Sequence, residues 1–367
     1  MQKRVLVGLS GGVDSLATAL LLKEKGFHII GIWFDMFDEL ESNSTKLESR
    51  DKLLESSFNL LESNYNQLKE KADKIGFELY RYNIKKEFEE RVIDYFSTQY
   101  INGKTPNICV HCNQALKIPT LLSLKSKYSC DYIATGHYAN VRKENKRYVL
   151  SQAKDKWKDQ SYMLCRLSQE ALSQIIFPLG NYLKEDIKNL IREKGFEDIA
   201  KKRESYGICF LGEKTYQEFL IRKHPELSQL NEGNVIDNED RIIGNHNGYP
   251  FYTIGQCRGF NISLSEKQYI NSISYKENTL KVGIKSLCYK KEIRIRDINF
   301  IKYPILSNEH TFKVKIRGKE EGEKAKVIFF DKEADIVFDN PVFAPMQGQS
   351  IVIYENNDIV CSGEMIF

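Results

Sequence analysis

The residues best equipped for chemistry begin with a glycine loop near the N-terminus. In VLVGLSGGVDS, the residues Ser10, Gly11, Gly12, Val13, Asp14 and Ser15 follow directly on a β-branched run and lead straight into a helical pattern. Glycines let backbone N–H groups approach an anion closely, Ser10 and Ser15 add hydroxyl donors, and the following helix presents its positive end. That combination suits a pyrophosphate. A γ-phosphate loop of the GxxxxGK[ST] type needs a lysine that this stretch lacks. Asp14 is a candidate to hold Mg²⁺ against the phosphates. The plain alternative is a tight turn entering a helix.

Thiols are the second resource. Cys109, Cys112, Cys130, Cys165, Cys209, Cys257, Cys288 and Cys361 are dispersed along 367 residues, which argues against a disulfide scaffold and leaves reactive or metal-binding roles open. Cys109 and Cys112 form a CxxC pair. On its own, such a pair is compatible with a cluster or metal site, an auxiliary redox couple, or no role.

The elements that must position these groups can be read from hydrophobic periodicity. Val5 to Leu9 reads as strand, Leu16 to Lys25 as helix, Ile29 to Phe34 as strand, residues 39 to 74 as one or two long solvated helices, and Asp131 to Thr135 as strand. Such alternation predicts an α/β domain with a parallel sheet. Around 205 to 265 the chain turns to Gly, Asn and aromatic clusters with short strands, and from about residue 281 only strands are expected. Thr311 to Arg317 alternates strictly, with Phe312, Val314 and Ile316 on one face and Lys313, Lys315 and Arg317 on the other. Runs at 291 to 298, 325 to 330 and 350 to 354 complete an expected antiparallel barrel or sandwich. The predicted division is 1–206, 207–280 and 281–367.

Composition sets outer limits. A hydrophobic content of 41% against 28% charged residues supplies packed cores and argues against general disorder. The net charge of +4 is too small to imply a nucleic-acid partner, so any RNA footprint must be local. No apolar run approaches the roughly 18 to 20 residues that span a bilayer, and MQKRVLVGLSGG runs into the glycine loop rather than a cleavage site. A cytoplasmic protein is expected.

SGGVDS resembles the signature of the PP-loop ATP pyrophosphatases, which implies cleavage of ATP to AMP and pyrophosphate. Further stretches, GKTPNICVHCNQALK (103–117), IATGHYA (133–139), KDQSYML (158–164), FPLG (177–180), ESYGICFLGEKTYQEFL (204–220) and YTIGQCRGF (252–260), resemble the tRNA-specific 2-thiouridylase family, known as MnmA. The likeness runs through nearly the whole chain in order, and is weakest over residues 38–75. It implies an N-terminal PP-loop domain, a small central β-rich module and a C-terminal antiparallel β-barrel that contacts tRNA. It further implies 2-thiolation of the wobble uridine in tRNAs for Lys, Glu and Gln.

By that resemblance Cys112 is the nucleophile and Cys209 carries the persulfide, while the alternative for each is a small buried hydrophobe. Gly8, Leu9, Ser10, Gly11, Gly12, Val13, Asp14, Ser15, Phe34 and Gly136 would contact ATP. Asn107, Ile108, Cys109, His137, Lys158, Asp159, Gln160, Arg317, Gly318 and Gln349 would contact tRNA. Cys109 stands where some relatives carry an aspartate that serves as general base, and Gly318 where relatives often carry an aromatic residue. Cys109, Cys112 and Cys209 together could supply three thiolates to a [4Fe-4S] cluster. His137 has a packing role as its alternative, the 158–160 stretch a solvated loop, and the Lys313, Lys315, Arg317, Lys319 row a charged outer strand face rather than a phosphate track. ATP and Mg²⁺ are the expected cofactors. The expected partners are tRNA and a sulfur relay protein or cysteine desulfurase, with no membrane partner and the chain acting as a monomer. Two rival readings remain: a superfamily member acting on a small molecule, and a non-catalytic or re-targeted RNA-binding paralogue.

Overall fold

A computed structural model describes residues 2–36, 50–202, 207–212, 214–230, 232–262 and 266–366, with side chains described for these except 50–60 and Asn261. Of the helices expected over 39–74, the described part is one helix, Arg50–Ile75. The rest of that expectation, and Glu204 to Tyr206 of the second thiol motif, lie outside the described residues.

Strands β1 (Arg4–Leu9), β2 (His28–Asp35), β3 (Glu78–Asn83) and β4 (Tyr132–Ala134) build the first sheet. The hairpin of β5 (Asn140–Glu144) and β6 (Arg147–Ser151) leaves it, and β7 (Ile175–Ile176) returns. The sheet is parallel in the order β3-β2-β1-β4-β7. Its strands are apolar runs because helices cover both faces: Val5, Leu6 and Val7 are all fully buried. The first helix, Val13–Glu24, is buried on almost every side, including Ser15 and Thr18, as an apolar helix enclosed by protein must be. Strand order reverses between β1 and β4, so the loop leaving β1 sits at the crevice where open α/β sheets bind ligands.

The central sheet comprises β8 (Gly233–Ile236), β9 (Ile242–His246), β10 (Asn261–Ile262), β11 (Tyr269–Ser274) and β12 (Thr279–Gly283), ordered β10-β9-β8-β12-β11. Its core is continuous with that of the helices carrying Cys112, since Val235, Ile270 and Leu280 share one cluster with Ile108, Cys112 and Leu116.

The last six strands are β13 (Tyr289–Phe300), β14 (Asn308–Lys315), β15 (Glu323–Phe330), β16 (Glu333–Phe343), β17 (Ser350–Glu355) and β18 (Asp358–Ile366). They close into an antiparallel barrel through pairing of β13 with β18. Phe312, Val314 and Ile316 face its interior, as their alternation requires. The β5–β6 hairpin joins the outside of this barrel through the Asp358–Ser151 pairing, so a segment from the first half of the chain completes the second. Arg142 grips Asp358 with two bonds of 2.7 and 2.9 Å, and Tyr162 donates to the Ser350 carbonyl at 2.5 Å and the Ile316 carbonyl at 3.2 Å.

Candidate active site

The loop leaving β1 is built to leave donors free. Gly11 has φ +74°, a conformation that a β-carbon would strain, and Gly12 caps the following helix without any side-chain bond to its first N–H groups. Ser15 Oγ donates to the Gly12 carbonyl at 3.0 Å and accepts from the Ser10 amide at 3.2 Å, which folds the loop back on itself. A β-carbon on Gly136, just beyond β4, would lie 2.9 Å from the Asp14 carbonyl carbon and the Ser15 nitrogen. Gly136 is therefore the contact that closes the loop. Gly8 lies on β1 against Leu121, with only 3.2 Å for a β-carbon, Leu9 and Val13 are buried, and Phe34 is half-buried on β2.

Asp14 is engaged from within the protein. Lys184 Nζ donates to both its carboxylate oxygens at 2.7 Å, and Tyr138 Oη donates to one of them at 2.9 Å. Sequence reasoning missed both partners, and Lys184, which is only 7% exposed, lies 170 residues away with no motif to flag it. With both oxygens on the Lys184 ammonium, Asp14 is not the open carboxylate that Mg²⁺ requires.

Cys112 ends the short helix Ile108–Cys112, capped by Asn107, whose side chain accepts from the Val110 amide at 3.5 Å. The helix continues as a π-turn, Asn113–Lys117, and then as Ile118–Lys127. Cys209 sits at the exposed tip of a turn between Gly207 (φ +101°) and Gly212 (φ +59°), while its neighbour Phe210 is buried in the cluster that holds Cys112. All eight thiols are free. Cys109, Cys112 and Cys209 are near enough that Cys209 raises the cost of ionising either of the others.

Burial pushes the Cys112 thiol up to about 11, with Lys117 pulling the other way. Cys109 opens to solvent from a crowded surface that also raises its thiol, again opposed by Lys117. Lys117 acts on His137 too: burial first, then that ammonium, lowers the imidazole to about 4. His137 is therefore neutral at pH 7, and one ring nitrogen shares a 2.8 Å hydrogen bond with Thr135. Thus Lys117, another residue that sequence reasoning passed over, links the thiols to His137, which adjoins Gly136 and the loop.

The three thiols do not form a ligand set. Cys112 is buried while Cys109 and Cys209 are exposed, and among the described residues no group of three or more His, Cys, Asp or Glu could hold a metal ion.

Several expected tRNA contacts have structural duties. Ile108 is buried in the core. Asp159 accepts from the Ala153 and Ser161 amides, and Gln160 accepts from the Tyr138 amide at 3.0 Å, bracing the segment beside the loop. Arg317 donates to Glu320 and to the Phe343 and Ala344 carbonyls. Gln349 donates to the Thr105 carbonyl at 2.8 Å, tying the barrel to the segment that leads into Cys109. Gly318 packs on Met163 and Tyr162, and a β-carbon there would lie 3.1 Å from the Met163 methyl group, so a side chain at this position would press on Met163. The predicted basic row is broken: Lys315 is buried over the Tyr354 ring, and burial lowers its ammonium. Alternation placed it on the outer face correctly, but there Lys315 packs against Tyr354 while Lys313 faces solvent. Lys158 is half-exposed in a loop whose neighbour, Trp157, is 94% exposed.

Residues 3–213 match the tRNA methyl transferase HUP domain model, 217–284 the tRNA methyl transferase PRC-barrel domain, and 290–366 the aminomethyltransferase beta-barrel domain. The chain is 38% identical over 366 residues to the tRNA-specific 2-thiouridylase MnmA of Salinibacter ruber, covering 98% of this chain and 93% of that one. It is 37% identical to those of Amoebophilus asiaticus (98% and 94% covered) and Natranaerobius thermophilus (100% and 98% covered).

Proposed function

The chain belongs to the tRNA-specific 2-thiouridylase family, and from that premise we propose that it thiolates the wobble uridine of tRNAs for Lys, Glu and Gln through an adenylated uracil and a cysteine persulfide. The coarse activity, sulfur transfer to tRNA with use of ATP, is that of the family. The oxygen on a uracil ring leaves poorly, so ATP first converts the C2 oxygen into an adenylate, releasing pyrophosphate into the cradle of Ser10 to Ser15. The outer sulfur of a persulfide on Cys209 then attacks C2, and AMP departs. Cys112, as a thiolate, attacks the Cys209 sulfur. The S–S bond to the base breaks, a Cys112–Cys209 disulfide forms, and the electron pair left on the outer sulfur becomes the C2 thiocarbonyl. An external thiol returns the pair to its reduced state, and a persulfide donor of the cysteine desulfurase or relay class reloads Cys209.

The observation that carries this reading is the shared neighbourhood of Cys112, Cys109 and Cys209 with Lys117, and of Lys117 with His137 beside the loop. A neutral His137 suits contact with a base better than with a phosphate. Lys158, Arg317, Gly318, Gln349 and the backbone around Asn107 to Cys109 complete the proposed tRNA contacts. The experiment is mass spectrometry of tRNA nucleosides after incubation with ATP, cysteine and a cysteine desulfurase, which loads Cys209 with sulfur already at the persulfide level. Thiouridine is expected with the parent and not with Cys112→Ser or Cys209→Ser under persulfide-dependent conditions. A folded parent that makes none, or serine variants that match it, would overturn the proposal.

A further inference from the structure

The helix that carries Cys112 is irregular at one place. Cys112 is the N-cap and Lys117 the last residue of a π-turn, closed by an Ile118 amide bond to the Asn113 carbonyl. In a regular α-helix, residues five apart point about 140° away from each other. A π-turn instead stacks residues i and i+5, and such turns concentrate at functional sites. Here the turn is braced from outside: Arg91, in a second π-turn over Glu89–Ile93, donates to the Ala115 carbonyl at 3.4 Å, and its own carbonyl is bonded by His111 at 2.8 Å. The irregularity thus brings Lys117, one π-turn on, round to the side of the helix that carries Cys112. The thiols of Cys112, Cys209 and Cys109, in that order, raise its affinity for the proton against the effect of burial, and among the described residues no carboxylate is among the groups that do so.

We propose that Lys117 is a positioning residue for sulfur transfer: delivered to the thiol face by the π-turn, its ammonium takes up the negative charge when Cys112 or its neighbours ionise. This rests on the reading that these thiols handle sulfur. At rest, burial keeps Cys112 protonated and unreactive, and Lys117 lowers the cost of the thiolate at the moment of attack. Among the described residues, the charged and titratable groups bearing on Cys112 are Lys117, Cys209 and Cys109, and Lys117 also bears on His137, which is neutral.

The test is alkylation of the full-length chain by iodoacetamide, a neutral reagent, followed residue by residue by mass spectrometry from pH 7 to 10. At pH 8, Lys117→Met is expected to slow modification of Cys109 and Cys112 by about tenfold, the effect of losing an adjacent opposite charge. The gap should narrow as pH rises and the thiols ionise unaided, Lys117→Arg should stay near the parent, and Cys257 in the central module should be unaffected. Equal rates in parent and Lys117→Met, or a pH-independent change shared by the Arg and Met variants, would overturn the proposal. Thiouridine formation does not enter this readout, so failure here leaves the thiolation reading standing, and failure of that reading leaves this measurement intact.

Discussion

His137 carries a sign that can be measured. Its folded value, about 4, lies below the ordinary imidazole, so the unfolded chain binds a proton that the folded chain refuses. Stability contributed by this group is present above pH 6.5 and is lost as pH falls from 6.5 towards 4, by up to about 3 kcal/mol. His137→Gln should flatten that part of the stability–pH curve, followed by urea unfolding between pH 7 and 5, and an unchanged slope would contradict the assignment. Lys184 makes a second residue-scale prediction. Lys184→Met removes the ammonium from Asp14 and should lower ATP-dependent pyrophosphate release at least about tenfold, the scale of one charge-assisted bond of roughly 1.5 kcal/mol. Release equal to the parent's would show that the pair is structural only. Motif reading found Asp14 because its loop is local, and missed Lys184 because nothing in ten residues of sequence reports a partner 170 positions away.

At the scale of elements, the loop leaving β1 depends on the strand end beside it. Gly136→Ala would drive a β-carbon into the Asp14 and Ser15 backbone, 2.9 Å away, which must shift the loop. Calorimetry should show ATP binding weakened at least about tenfold, with the melting temperature reduced by only a few degrees. Binding at the parent's affinity would remove Gly136 from the site. The strands of the parallel sheet and of the barrel were legible because their periodicity is regular: apolar runs where both faces are covered, alternation where one is. The π-turn at 113–117 was not, since its five-residue step follows no repeat that periodicity can detect. Lys315 shows the converse failure: alternation assigned its face, where Lys313 stays exposed, but only the tertiary packing of Tyr354 decides that Lys315 itself is buried.

Across the molecule, three sheets converge on one short segment. Thr105 is held by the barrel through Gln349 and the Gln347 carbonyl, Ile108 and Cys112 pack into the core shared with the central sheet, and the helix beyond reaches β1 at Leu121. No helix among the described residues is long and apolar enough to cross a membrane. The basic loop AKDKWKDQ carries Trp157, 94% exposed, whereas the chain's other tryptophan, Trp33, is 9% exposed. An exposed ring among lysines has the chemistry to stack on a base, so tRNA is expected to quench the emission of Trp157, and Trp157→Ala to weaken tRNA binding at least about fivefold. Quenching that persists in the variant would place the RNA elsewhere.

The central claim is that Cys112 and Cys209 act as a pair beside the adenylating loop. It is tested most directly by mapping disulfides after a single turnover with persulfide-loaded protein, ATP and tRNA in the absence of reductant. The prediction is one Cys112–Cys209 disulfide for each thiouridine formed, and none when ATP or tRNA is withheld. Thiouridine appearing while both thiols stay free, or a disulfide between other cysteines in equal yield, would contradict it.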